Sequence, residues 1–158
     1  MIMPAFRSEK VYEKYAWIII FAIGLITLLT GVPHIMGVNT DPTTAEGIIG
    51  MTLSELKASN IGLFNLYDFY FRFGGLSDMA FGFLVTVIAS TAYRRGKKWA
   101  WYAIWSIPAF FLGSAAITMS VDPSSSSILP FVTLFVILSL LGLFLPFRRF
   151  FPKGDKNQ

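Results

Sequence analysis

The stretch FYFRFGGLSDMAFGFLVTVIASTAYRRGKK, Phe69 to Lys98, decides how the rest of the chain is read. Its centre is apolar enough for a bilayer, it carries one acid inside that apolar part, and it closes on Arg94, Arg95, Lys97 and Lys98. Crossing a ~30 Å hydrocarbon core takes about 20 helical residues at 1.5 Å each. Counted back from Arg94, that length ends near Gly74 or Gly75. Asp78 then lies roughly 6 Å inside the far boundary, with Arg72 at it. Gly74 and Gly75 precede the acid by four and three residues and Gly82 follows it by four, so all are expected on its side of the helix. Small residues so spaced let helices approach closely, and an ionised carboxylate facing acyl chains is costly, so this face is expected to meet another helix. Two readings of Asp78 stand level: a packing acid, hydrogen-bonded or protonated, and a functional one.

Composition points the same way. Of 158 residues, 54% are hydrophobic and 16% aromatic, more large apolar surface than a soluble domain of this length can hide. The chain has no cysteine, which excludes disulfides, thiolate metal sites, iron–sulfur clusters and thiol redox chemistry. A single histidine, His34, makes no histidine-rich metal site. No metal and no cofactor is expected. The net charge of +4 sits beside apolar spans, where orientation and contact with anionic membrane lipids explain it; no nucleic-acid partner is expected.

The expected architecture is all-α: one integral membrane four-helix bundle, with spans over about 15–36, 69–93, 99–120 and 128–147 and an outer loop over 37–67. In the first span Gly24, Thr27, Gly31 and His34 form a small and polar face, and Pro33 disturbs the last turn. Thr52 and Glu55 have capping-box spacing, which predicts a short extracytoplasmic helix over about 53–59, and the next helix is expected to start near Gly62 or Leu63, with Asp68 and Arg72, four apart, able to pair on its exposed first turns. Gly47 to Met51 is too short to span and is expected in the interface or over the bundle mouth. Trp99, Trp101, Tyr102 and Trp105 read as an interfacial collar, and Ser106, Ala109, Gly113, Ala116 and Ser120 as a packing face of the third span. The turn Val121 to Ser127 has one acid and no base. Basic residues at the N-terminus, at 94–98 and at 148–156 predict a cell-membrane protein with both termini cytoplasmic.

If the glycine faces of the first two spans meet, His34 and Asp78 come to similar depth. The expected site is an outward-opening pocket of His34, Arg72 and Asp78, lined by Thr27, Thr30, Ser114 and Thr118 and roofed by the long loop. His34 and Asp78 are the candidate catalytic pair for moving a proton, and Arg72 the candidate holder of an anionic or carbonyl group. The alternative is that these residues satisfy one another and lock the bundle.

The run YRRGKKWAWYAIW, Tyr93 to Trp105, and GVPHI, Gly31 to Ile35, together with the span pattern, resemble small four-span membrane proteins of bacteria and archaea, broadly the DoxX-like group. The resemblance implies an accessory role in a membrane complex of the kind that accompanies quinone or thiosulfate oxidation; no catalytic residue of that group maps onto this chain. In span number alone the chain is also similar to sterol-isomerase-type bundles. The expected function is an accessory subunit, in contact with other membrane subunits or a second copy, or a binder of a lipid-like or quinone-like molecule. A membrane enzyme or proton-coupled carrier is the alternative.

Overall fold

The computed structural model describes residues 11–39, 42–121 and 129–152. Residues 1–10 of the expected polar lead over 1–14, residues 122–128 of the last turn and fourth span, and the basic residues Lys153 and Lys156 lie outside them. The protein is all-α, with no strand among the described residues.

The first rod is α1 (Val11–Tyr15) and α2 (Trp17–Ile35), joined through Ala16, which itself keeps helical angles. Pro33 has no N–H to give, yet the rod continues to Ile35 before Gly37, at φ +77°, turns the chain away. Two short helices follow, α3 (Pro42–Ile49) and α4 (Leu53–Ser59). The expected capping box is formed: Glu55 N–H donates to Thr52 Oγ1 at 3.2 Å, and Thr52 N–H donates to Glu55 Oε2 at 2.9 Å. The bond from Thr52 N–H, and a second from the Thr52 hydroxyl to the same Oε2 at 2.8 Å, hold the Glu55 carboxyl below its usual range. Glu46 Oε1 accepts from Leu53 N–H at 3.1 Å and ties α3 to α4.

Helix α5 (Ile61–Ile88) starts on Asn60, whose side-chain oxygen accepts from Leu63 N–H at 3.0 Å. It runs without a break into a π turn, Ala89–Tyr93, closed by Arg94 N–H donating to Ala89 O at 3.0 Å. The third rod is two helices, α6 (Lys98–Ile104) and α7 (Ser106–Val121), interrupted at Trp105. Pro108 accounts for the break, because it cannot donate to the carbonyl of Ile104 one turn earlier. Helix α8 (Leu129–Phe144) and the single turn α9 (Phe147–Phe150) end the described chain, with Pro146 between them.

Three rods, Glu13–Ile35, Ile61–Tyr93 and Lys98–Val121, are long and apolar enough to cross a membrane; α8 is apolar but shorter. Side chains such as Phe69, Phe73, Phe83, Leu84, Ile117 and Phe144 are more than half exposed, a surface that water does not tolerate in such extent.

The helices form two pairs. The α2–α5 contact is the most extensive in the molecule, and α7–α8 comes next. The pairs are fastened at the end that carries the Arg94–Lys98 turn. There Tyr93 Oη donates to Gly142 O at 2.6 Å and Trp101 Nε1 donates to Leu143 O at 3.0 Å, so two buried side chains satisfy carbonyls near the end of α8. Arg149 donates to Arg94 O at 2.7 Å and to Glu13 O at 3.4 Å, and Arg94 stacks over Trp17. Trp101 is therefore a buried clamp, while Trp99, Tyr102 and Trp105 are exposed as a collar requires. The expected packing face of α7 is turned outward: Ser106, Ala109, Gly113, Ala116 and Ser120 are exposed, and Ile107, Pro108, Phe111 and Ala115 face the core.

Candidate functional site

The seam between α2 and α5 sets the geometry. A Cβ on Gly31 would lie 2.5 Å from Gly75 O, and one on Gly75 would lie 2.5 Å from the Cβ of His34. A Cβ on Gly82 would meet the backbone of Gly24 and Leu28, and one on Gly24 would meet Thr86 and Val85. Hydrogen in place of Cβ at these four positions is what lets the two backbones touch. Gly74 takes no part, since a Cβ there meets nothing within 4 Å.

The seam brings His34 opposite Asp78, with Nδ1 and Oδ2 at 3.7 Å and both side chains about a quarter to a third exposed. Asp78 is about 24 Å along the helix from Arg94, at 1.5 Å per residue, so the pair lies toward the end remote from the basic turn. Phe71 packs on the imidazole, ring centroids 4.8 Å apart.

A cavity of about 570 Å³ opens beside this pair, between α2–α5 and α7–α8. Five residues expected in a pocket line it together: Thr27, Thr30, His34, Asp78 and Ser114. Its apolar wall comes from Ile26, Phe71, Phe110, Phe111, Phe131 and Val132. Asn39 and Thr44, from the first loop and α3, also line it, so that loop contributes to the enclosure. A smaller cavity of about 290 Å³ lies under α3 and shares Asn39, Thr44 and Phe71 with the larger one.

Arg72 and Thr118 are not among the lining residues. Arg72 is held on another side of α5, where Nε donates to Asp68 Oδ2 at 2.7 Å and Nη1 to Ile35 O at 3.1 Å. The guanidinium also lies against Gly37. His34, Arg72 and Asp78 are therefore not brought to one point. Thr118 is one turn beyond Ser114 toward the end of α7. The aromatic wall went unread in the sequence, although Phe71 stands seven residues before Asp78 and so shares its face.

Three hydroxyls of the cavity are turned back on their own helices. Thr27 donates to Ile23 O, Thr30 to Thr27 O and Ser114 to Phe110 O, each at 2.9 Å. Among the described residues no cluster of three or more histidine, aspartate or glutamate side chains could hold a metal ion.

No family model, curated protein or solved structure matches the chain. What the site can do follows from its own groups: an apolar wall that accommodates hydrocarbon, one acid facing one imidazole, and hydroxyl oxygens with lone pairs to offer.

Proposed function

We propose that this is a four-span protein of the cell membrane, both termini cytoplasmic, that binds a lipid-like or quinone-like molecule in its outer half. The observation that carries the reading is the cavity itself: a single chamber of about 570 Å³ in which four phenylalanines face a His–Asp pair. Such a chamber suits an amphipathic ligand whose head meets the polar pair and whose tail runs along the rings. α8 supplies the fourth span of this reading: its 16 helical residues reach roughly 24 Å, and Leu145, Pro146 and Phe147 after it extend the apolar length.

The DoxX-like resemblance and the outward small-residue face of α7 support a second element, in which the protein serves as an accessory subunit packed against another membrane helix. A membrane enzyme or carrier built on a His34–Arg72–Asp78 cluster has less support, because Arg72 is committed to Asp68 and Ile35.

The test is to purify the protein in mild detergent and identify bound small molecules by mass spectrometry, alongside Ser114→Phe, which fills the chamber. A lipid-like molecule retained by the unaltered protein and lost from the variant is expected. Equal content in the two proteins would refute the reading.

A further inference from the structure

We infer that the cavity is built for a lipid-like molecule whose head is a hydroxyl, an alcohol or a phenol, and not a carboxylate, a phosphate or a lone carbonyl. This rests on the pocket reading above and adds the chemistry of the head.

Charge comes first. Among the described residues the cavity's lining includes no lysine or arginine, and the nearby guanidinium of Arg72 is bonded to Asp68 and Ile35 outside it. An anionic head beside Asp78 would meet a like charge, with His34 as its only cationic partner among those lining residues.

Hydrogen bonding then selects among uncharged heads. Thr27, Thr30 and Ser114 have given their hydrogens to backbone carbonyls, so toward the cavity they present lone pairs. An ionised Asp78 is likewise acceptor-only. A carbonyl or ether oxygen brings no hydrogen to any of them. A hydroxyl brings one and keeps lone pairs for a ring N–H.

The geometry of the pair fits that dual role. At 3.7 Å, His34 Nδ1 and Asp78 Oδ2 are too far apart for a direct hydrogen bond. An oxygen seated about 2.8 Å from each bridges them, donating to the carboxylate and accepting from the imidazole N–H. The apolar remainder of the chamber holds roughly 15 to 20 heavy atoms if each occupies about the 30 Å³ of a water molecule, enough for a chain of a dozen carbons.

The experiment uses the full chain in lipid nanodiscs with three probes of one chain length: 1-dodecanol, dodecyl methyl ether and dodecanoate. Retention of a single copy is read by native mass spectrometry, with Ser114→Phe as the measure of nonspecific bilayer carry-over. The alcohol is expected to saturate the unaltered protein at a concentration on the order of tenfold or more below the ether and the carboxylate, the worth of one hydrogen bond to a charged group. In Asp78→Ala, alcohol and ether should converge. Equal retention of ether and alcohol by the unaltered protein, or tighter retention of dodecanoate, overturns the hydroxyl assignment while leaving the pocket standing. No difference between the unaltered protein and Ser114→Phe for any probe overturns the pocket itself, and the hydroxyl assignment with it.

Discussion

Alanine at Gly82 tests the seam on which the whole site depends. A Cβ there would lie 2.6 Å from Gly24 O and 2.8 Å from the Cα of Leu28, against the 3.4 Å at which ordinary contact begins. The obstacles are backbone atoms, so no rotamer change relieves them. The backbone nitrogen of Leu28 is nearer still, so the helices must part locally by about 0.8 Å or more, a gap that forfeits roughly a quarter to a half of each affected dispersion contact. Overpacking of this kind costs about 1–3 kcal/mol, and alanine's helix propensity returns about 1 kcal/mol. Gly82→Ala should therefore destabilise by about 0 to 2 kcal/mol, whereas Gly74→Ala and Gly113→Ala, whose added Cβ meets nothing within 4 Å, should be stabilised by up to about 1 kcal/mol. Gly31→Ala strains the same seam. Once one substitution has parted the helices the second costs less, so the double variant should fall short of the sum of the singles. Reversible unfolding in mixed micelles measures all of these. Parting the helices also carries His34 away from Asp78, so ligand retention should fall with stability along the series. If Gly82→Ala behaves like Gly74→Ala, close backbone contact does not hold this bundle together.

Tyr93→Phe leaves a buried carbonyl at Gly142 without its partner and should cost about 1–2 kcal/mol in the same unfolding assay. Arg72→Ala should leave probe retention within about twofold, since a hydrogen bond to the ligand would be needed for a tenfold change and Arg72 does not line the cavity; a tenfold loss would put that residue in the site. Glu55 has a lowered pKa in the folded chain, so its contribution to α4 is present above the ordinary glutamate value and is lost as pH falls through the lowered one. Hydrogen exchange over Leu56–Ser59 should accelerate in acid, and Glu55→Gln, which has no proton to gain over that range, should remove that pH dependence. Because the chain has no cysteine, single-cysteine variants report orientation directly: Ala45→Cys should react with an impermeant reagent on intact cells and Lys97→Cys only after permeabilisation. The reverse pattern would invert the topology.

The seam was legible because glycine spacing survives folding unchanged. Gly24 and Gly31 are seven apart, as are Gly75 and Gly82, so each pair lines one helix face, and the structure apposes the two faces. The capping box was legible for the same reason: its chemistry is local and its spacing is fixed. The Asp68–Arg72 pair was legible from its spacing of four and is formed, whereas the grouping of Arg72 with His34 and Asp78 went by depth instead of by angle. Arg72 stands six residues before Asp78, which puts it about 120° around the helix, while Asp68 at four residues is its natural partner. The face of α7 that meets the core was not legible. In a helix apolar on both sides burial leaves no polarity contrast to read, and the small-residue edge and the Ile107–Phe111–Ala115 edge compete on equal terms. The π turn at Ala89–Tyr93 carries no sequence mark either. It is one extra residue in a helical run, and it accompanies the inward placement of Tyr93 through which the helix pairs are fastened.

Side-chain size along the bundle explains why a chamber exists at all. Near the basic turn α8 presents Gly142 to Ile20, so α8 can approach α2 closely, and Tyr93 and Trp101 bond to α8's carbonyls from the other side. Toward the opposite end the inter-pair positions hold rings: Phe81 stacks on Phe110 at 4.4 Å, and Phe111, Phe131 and Phe135 form a cluster with centroids 4.4 to 6.5 Å apart. Rings of that bulk hold α7 and α8 off from α2, yet they pack chiefly with each other, so the space beside His34 and Asp78 is not filled. The α2–α5 seam meanwhile remains tight at Gly31 and Gly75, which keeps the imidazole and the carboxylate facing across one wall of that space. Glycine at one end and along one seam, phenylalanine at the other end, together produce a bundle that is closed at its basic end and hollow where its only histidine meets an acid.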